Sequence, residues 1–463
     1  MEPIKIEEIL KAVNGSITQL PITNYQLPVK EVSIDSRTIK PDEIFVALKG
    51  NKYDGHSFVG EALQKGAVAA IVQNKLPITN YQLPIITVKD TLRALGDLAA
   101  WYRGLFSLPV IGITGSNGKT TTKELTAKCL STKYHVLKSE GSFNSLTGVP
   151  LTLFNLSKKE EVCVLEIGAN QPGEIERLSQ IAKPNIGVIT NIAPTHLENF
   201  KTIKGVLEEK LKLLEVTEIS ILNADDPLLS NVMTKKTFKF GVDNGDLKAE
   251  IIESANGTKF KVNGVLFELP LFGKYQVYNV LAAISVGIHF NIELRELSEA
   301  LKKVAPAPHR EEIIEVKVNE KGASSTIKII DSTYNANPVS MKLALEGLKR
   351  YNGRKVAILG DMLELGENAN QFHHAIGETV KEFGVQVVIG VGKLAKKYVN
   401  GSGSGERFHF DSVDLLLKRL RNIIKPGDVI LVKGSRAMRM EKIVESLKLT
   451  TKTQSLKGRK NFR

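Results

Sequence analysis

The sequence predicts an α/β chain of three domains, and three observations predict it. At 463 residues the chain is too long for one ordinary domain. Short apolar segments of the kind that form buried strands alternate with helix-compatible stretches, a pattern that folds into parallel sheets covered on both faces. One such strand runs into Gly112-Ile-Thr-Gly-Ser-Asn-Gly-Lys-Thr-Thr-Thr122, a glycine-rich turn ending in Gly-Lys-Thr.

The first block, 1–104, mixes short strands and helices, as in GAVAAIV followed by the helical DTLRALGDLAAWYR. The second, 105–308, begins at the strand Pro109–Thr114. It continues through strands at Val162–Ile167 and Ile186–Thr190 with helices between them. Pro306-Ala-Pro308 closes it as a stiff, hinge-like linker. The third, 309–463, repeats the pattern with KVAILG, VQVVIGVG and DVILVKGS, which predicts a second open sheet of the doubly wound, Rossmann-like type. It ends in a basic tail, LKLTTKTQSLKGRKNFR, read as a loose end. The nonapeptide LPITNYQLP occurs at Leu20–Pro28 and again at Leu76–Pro84. Two isolated copies make no solenoid, and they read as surface-loop insertions of common origin.

Composition narrows the function classes. Apolar residues make up 42% and charged residues 24%, as in a soluble globular protein. No apolar run reaches the length of a membrane helix, and MEPIKIEEILKAV lacks the pattern of a signal peptide. Cys129 and Cys163 have no metal spacing and read as buried thiols in a reducing cytoplasm. The net charge of +13 comes without a nucleic-acid motif, so a phosphate-rich small substrate is expected rather than a polymer. No coiled coil or exposed apolar repeat argues for assembly, and a monomer is expected.

The turn at 112–122 has the strand–loop–helix context that a phosphate site needs. Gly115 and Gly118 let backbone amides face a concavity, and the helix N-terminus adds positive potential. Lys119 is expected to reach the β/γ-phosphates, and the Thr120 hydroxyl to ligate Mg²⁺. Its spacing is short: where the common phosphate loop carries an earlier glycine, this chain has Ile113. Glu166 and His196 follow neighbouring strands, whose carboxyl ends converge on one crevice.

These residues resemble the Mur ligases, ATP-dependent amino-acid ligases of peptidoglycan precursor synthesis. GITGSNGKTTTKE, Glu166-Ile-Gly-Ala-Asn170 and TNIAPTHLENF are similar to that family's central domain, including the shortened loop. IDSRTIKPDEIFVALKGNKYDGHSFVGEALQKGAVAAIV resembles its uridine-nucleotide-binding first domain. DSTYNANPVSM and ILGDMLELGE resemble the branch that adds D-alanyl-D-alanine. The resemblance spans nearly the whole chain. It implies that Gly115, Ser116, Asn117, Gly118, Lys119, Thr120 and Thr121 hold the ATP phosphates. Thr120, Glu166 and His196 would meet Mg²⁺. Asn279 would contact adenine, with Arg310 at the hinge and Asp331 on the ribose side. Lys210, fourteen residues after His196, matches a lysine that several family members carbamylate to hold a second Mg²⁺. Ser36, Arg37, Lys49, Asp54 and His56 would form the uridine-diphosphate site, and Asn335 and Asn337 would face substrate. The implied partners are UDP-MurNAc-tripeptide and D-Ala-D-Ala.

Departures from the family pattern are local. The usual His-Asn before the adenine motif is Tyr275-Gln276, the Pro-Gly-Arg hinge is Pro308-His309-Arg310, and the usual Gly-Asn before Asn144 is Gly141-Ser142. The Asp-Asn-Pro-Arg motif of the branch that adds a diamino acid is absent. Folylpolyglutamate synthetases share the loop but lack a first domain of this kind. A nucleotide-dependent binding protein without ligase activity is the alternative from another class. Whether the peptide's third residue is lysine or diaminopimelate stays open.

Overall fold

The computed structural model describes all residues except 20–26, 51, 74–82, 253–256, 272, 305–307, 321–322, 404 and 459–463. All but the last two residues of each LPITNYQLP copy, and most of the Pro306–Pro308 linker, lie outside the described residues.

The expected α/β architecture is present. In the first block, strands Ser16–Gln19, Ile85–Thr87, Ala69–Val72, Glu43–Val46 and Glu31–Ser33 lie in that order in one sheet. All its pairs are parallel except the first. Ile44, Phe45, Val46, Ala69, Ala70, Ile71 and Val72 are buried on both faces, which is why these runs read as continuous apolar segments rather than alternating ones. The helix Thr91–Arg103 starts where Asp90 Oδ1 accepts the Arg93 amide at 2.8 Å. It is anchored outside its own block: Tyr102 Oη donates to the Leu156 carbonyl at 2.6 Å, and Arg103 Nε donates to that of Ala182 at 3.0 Å. One apolar core thus runs from the first sheet into the helices of the second.

The central sheet is fully parallel, in the order Leu247–Lys248, Thr237–Gly241, Ile219–Asn223, Ile186–Ile189, Val110–Thr114, Val162–Glu166, Val136–Lys138. Val110–Thr114 therefore lies between the strands that deliver Glu166 and the segment to His196. Their carboxyl ends open onto one crevice. Beside this sheet lies an antiparallel one of Glu250–Ile252, Thr258–Val262 and Val265–Leu269, which the strand–helix alternation does not announce. Its signal is Asn263-Gly264 between alternating residues; both adopt positive φ, 47° and 81°, as a tight hairpin turn requires.

The third sheet runs Glu312–Glu320, Ala323–Ser332, Val429–Lys433, Lys355–Gly360, Val387–Val391, Glu406–Phe410. It is parallel except for the first hairpin. The basic tail differs from expectation: a helix spans Glu441–Gly458, taking up most of it. Ile443, Val444 and Leu447 of that helix are buried in the third core, which holds its first turns in place.

Candidate active site

The phosphate loop is shaped by two glycines that no other residue could replace without movement. Gly115 has φ 143°, and a Cβ there would fall 1.9 Å from Thr190 Oγ1. Gly118 has φ 82°, and a Cβ would fall 2.2 Å from Asn279 Oδ1. Gly118 is also the N-cap of the helix Lys119–Leu130, so the unpaired first-turn amides face the crevice. Side chains hold the loop. Ser116 Oγ donates to the Ala193 carbonyl at 2.9 Å and accepts the Ala193 amide at 2.8 Å. The Asn117 amide donates to Asn191 Oδ1 at 3.0 Å, and Thr190 Oγ1 donates to the Asn117 carbonyl at 2.6 Å. Asn117 Nδ2 is buried without a partner among the described residues, a donor left over for a ligand oxygen.

Thr120 and Glu166 are brought together: Thr120 Oγ1 donates to Glu166 Oε2 at 2.6 Å, while Asn144 Nδ2 donates to Glu166 Oε1 at 2.7 Å. Arg310, from the third domain, reaches across, its Nη2 donating to Thr120 Oγ1 at 2.8 Å. Its guanidinium lies 3.7 Å from the centroid of the Tyr334 ring. A second bridge joins the same two domains, with Asn337 Nδ2 donating to Asn117 Oδ1 at 2.7 Å. Asn337 also caps the helix Pro338–Lys349 by accepting the Ser340 amide at 2.8 Å.

Two lysines stand at the crevice, one on the phosphate loop and one behind its wall. Lys119 Nζ donates to the carbonyls of Gly115 and Ser116 at 2.8 and 3.3 Å. Desolvation pulls its pKa below the ordinary lysine value. Lys210 is buried in the helix Ile203–Leu211, and no carboxylate pairs with it among the described residues. Burial first, and the Lys119 charge second, push its amine well below the ordinary value. The neighbouring Glu209 is spent on the helix Glu174–Ala182, accepting the amides of Gly173 and Ile175 at 2.9 and 2.8 Å. His196 stands at φ 51° and its Nδ1 meets Glu364 Oε2 at 2.5 Å. Burial pulls the imidazole pKa down, against the Glu364 carboxylate, which raises it.

Beside His309 and Arg310, Asp331 is fully buried. Oδ2 accepts His309 Nδ1 at 2.8 Å, and Oδ1 accepts the Thr333 amide and hydroxyl at 3.1 and 2.6 Å. It does not line the crevice itself, and His309, which it holds, does. Next to it, Tyr275 Oη donates to Glu311, whose carboxyl is pushed up to about 7 by burial. Lys433 is buried and pulled down to about 8, again by burial. It donates to Ser332 Oγ at 3.0 Å and to the Asn335 carbonyl at 2.9 Å.

One cavity of about 740 Å³ joins these groups. Ser116, Asn117, Gly118, Lys119, Thr120, Thr121, Glu166, His196, Asn279, Arg310, Asn335 and Asn337 all line it. Gly115, Lys210 and Asp331 stand behind its wall. Ser36, Arg37, Lys49, Asp54 and His56 are not part of it. There, Arg37 binds Asp35 through contacts of 2.6–3.2 Å. Both His56 nitrogens are engaged: Nδ1 with Asp54 Oδ1 at 2.6 Å, and Nε2 accepting the Gln73 amide at 2.9 Å. Lys49 and Asp54 face each other across an isolated backbone bridge. Glu364 and Lys433 were not foreseen as site residues, and Gln276 only as a departure from the family pattern. Lys433, a lone charge ending an apolar strand, carried a legible signal; Gln276 bonds Asn279 Nδ2 at 3.0 Å, which only the folded helix reveals.

Residues 28–103 match the Mur ligase family catalytic domain, 113–287 the Mur ligase middle domain, and 309–436 the Mur ligase glutamate ligase domain. The UDP-N-acetylmuramoyl-tripeptide–D-alanyl-D-alanine ligase of Bacillus subtilis is 34% identical over 456 residues, covering 96% of this chain and 98% of that one. Among solved structures, MurF from Acinetobacter baumannii superposes with a TM-score of 0.87 at 30% identity, covering 97% of this chain and 99% of that one. The MurF ligase from Thermotoga maritima in complex with ADP gives 0.80 at 30% identity, covering 92% and 99%. The chain belongs to the Mur ligase family.

Proposed function

We propose that the chain is an ATP-dependent ligase that joins D-alanyl-D-alanine to UDP-MurNAc-tripeptide, giving the pentapeptide precursor of peptidoglycan. The relatives named for that reaction support it over nearly their full length. The observation that carries it is the junction at Thr120, where the phosphate loop, the Glu166 carboxylate and Arg310 of the third domain meet on one hydroxyl. An ATP-binding crevice and a second substrate wall are thereby closed onto the same point.

In this reading the peptide carboxylate attacks the γ-phosphorus of ATP. The bond to the β,γ-bridging oxygen breaks, and ADP leaves an acyl phosphate. The dipeptide amine then adds to the acyl carbon, loses a proton, and expels inorganic phosphate as the amide forms. No protein nucleophile is needed. Lys119 and Arg310 screen the charge that would keep a carboxylate from a triphosphate. Asn117, with its spare Nδ2, and the amides of Gly118 to Thr121 orient the phosphates. Asn279 and Gln276 form the wall expected to meet the base. Closure between Arg310 and Asn337 on one side and the loop on the other keeps water from the acyl phosphate.

The donors fit a hard cation: a hydroxyl and a carboxylate oxygen 2.6 Å apart, with His196 on the same crevice. Thr120, Glu166 and His196, the last through Nε2 because Nδ1 is engaged, would hold Mg²⁺, which supplies charge neutralisation at the transferred phosphoryl group. Lys210, buried and biased toward the neutral amine, is suited to add CO2, losing a proton as its nitrogen bonds carbon. The carbamate so formed would offer an oxygen anion for a second cation.

The division 1–104, 105–308 and 309–463 assigns UDP binding, ATP binding and dipeptide delivery in that order. The first-domain set around Ser36, Arg37 and Lys49 would grip the diphosphate, braced by Asp54 and His56. No helix among the described residues is long and apolar enough to cross a membrane. A monomeric, cytoplasmic enzyme is the setting that this chemistry and its soluble precursors suit. The test is phosphate release from ATP and Mg²⁺ with UDP-MurNAc-tripeptide, with and without D-Ala-D-Ala. Release requiring both, with a pentapeptide mass, supports the reading. Release with UDP-MurNAc-dipeptide and a free diamino acid instead would overturn it.

A further inference from the structure

Two departures from the family pattern meet at one contact. Tyr275 stands where the pattern has the histidine of His-Asn, and Glu311 follows the altered segment Pro308-His309-Arg310. They belong to different domains, and Tyr275 Oη donates to the Glu311 carboxyl. Tyr275 is the second residue of the helix Lys274–His289, whose first turns also carry Gln276 and Asn279. Its ring is packed against the glycine that starts the helix: a Cβ on Gly273 would fall 2.4 Å from Tyr275 Cε1. The phenol is therefore held in place. Glu311, half-buried at the cavity wall, has no cation within ion-pair distance among the described residues, since Lys433 is spent on Ser332 and Asn335. A carboxyl in that position depends on its phenol donor.

Arg310 sits between two tethered neighbours. His309 is tied to Asp331 of its own domain at 2.8 Å, and its carbonyl accepts the Tyr334 amide at 3.2 Å. Glu311 is tied to the central domain through Tyr275. Both neighbours stand at φ 61°, a conformation that residues with a side chain adopt rarely, so the segment does not hold this shape unaided. Held in this way, Arg310 brings Nη2 to 2.8 Å from Thr120 Oγ1, the hydroxyl that also bonds Glu166. The Tyr334 ring orients the guanidinium from within its own domain, whereas the Tyr275 phenol fixes the neighbouring backbone against the central domain. We infer that Tyr275 is a positioning residue: through Glu311 it sets Arg310 against the phosphate loop, so that the wall expected to meet the base also aims the arginine at the phosphates. This rests on the ligase reading above and adds to it a link between the base wall and the phosphate wall.

The experiment measures phosphate release from ATP with UDP-MurNAc-tripeptide and D-Ala-D-Ala, and ADP binding by calorimetry. It compares wild type with Tyr275→Phe, each also in the Glu311→Ala and Arg310→Ala backgrounds. Tyr275→Phe keeps the ring and removes only the hydroxyl. It is expected to lower kcat roughly tenfold, the value of one hydrogen bond to a charged group, with KM for ATP and the ADP dissociation constant within about twofold of wild type. The loss shrinks below about twofold in either background, because the phenol acts through those two residues. The Glu311→Ala arm decides alone where Arg310→Ala turns over too slowly to measure. A loss that appears as a raised KM for ATP and weaker ADP binding, with kcat unchanged, makes the phenol a base contact and overturns the inference. So does a loss of the same size in the Glu311→Ala background. A wild type that binds ADP but releases no phosphate with these substrates overturns the ligase reading and the inference with it, so the two failures are distinguishable.

Discussion

The polar side chains of the first domain and those of the phosphate crevice differ in one respect: whether the fold has already given them partners. Arg37 is saturated by Asp35, whose carboxyl it holds at about 2, and His56 has a partner on each nitrogen. Among the described residues no carboxylate pairs with Lys210, Lys119 donates only to carbonyl oxygens, and Asn117 Nδ2 has no partner. Burying charge without an opposite charge costs several kcal/mol. A fold keeps such groups where a ligand restores the balance. The difference teaches that the crevice is built for an anion that arrives, whereas the first-domain set must exchange one partner for another.

The largest test of that contrast is Lys119→Ala, which is expected to lower kcat by roughly 10²–10³-fold or more while the melting temperature changes little. Phosphate release and a thermal melt read the two quantities. Gly118→Ala comes next: its Cβ collides with Asn279 and its φ of 82° costs about 1–2 kcal/mol, so weaker nucleotide binding by calorimetry is expected along with lower stability.

Lys210→Met should abolish turnover yet stabilise the fold near neutrality. The sign follows from linkage. The unfolded lysine holds its proton up to the ordinary value, and the folded one releases it earlier, so wild-type stability rises with pH between those two points. Melting from pH 6 to 10 should show that rise in wild type and a flatter curve in the methionine variant. Asn337→Ala removes a helix cap worth about 0.5–2 kcal/mol and one of the two bridges to the loop; denaturant unfolding measures it.

The smallest effects sharpen the contrast. Arg37→Ala should raise KM for the UDP substrate by less than about tenfold, because Arg37 must first leave Asp35. A larger rise would break the comparison. Glu364→Gln should lower the His196 pKa further, since it removes the group that opposes desolvation. A histidine titration by NMR would detect it.

Much of the crevice was legible because phosphate chemistry dictates local sequence. A strand, two glycines, a lysine and a threonine must be consecutive, and so they were seen. Glu166 was legible as an acid ending an apolar strand. What escaped was what depends on distant contacts. Glu364 meets His196 across 168 residues, and Asp331 turned out to lie behind His309 rather than at the crevice surface. The antiparallel sheet at 250–269 escaped because strand–helix alternation dominates its surroundings, although its Asn-Gly turn was in plain view. The basic tail misled because its helix starts before it, at Glu441, where Ile443 and Val444 dock the first turns together with Leu447 of the tail.

Arg310 is flanked by two residues at positive φ, His309 and Glu311, each at 61°. Where the family pattern has glycine, this chain places a histidine in the conformation glycine would adopt freely, and fastens it to Asp331 at 2.8 Å. A joint of glycine is governed by chain disorder; a joint held by one strong contact is governed by heat of interaction. Replacing His309 by glycine is therefore expected to loosen the segment that presents Arg310 to Thr120.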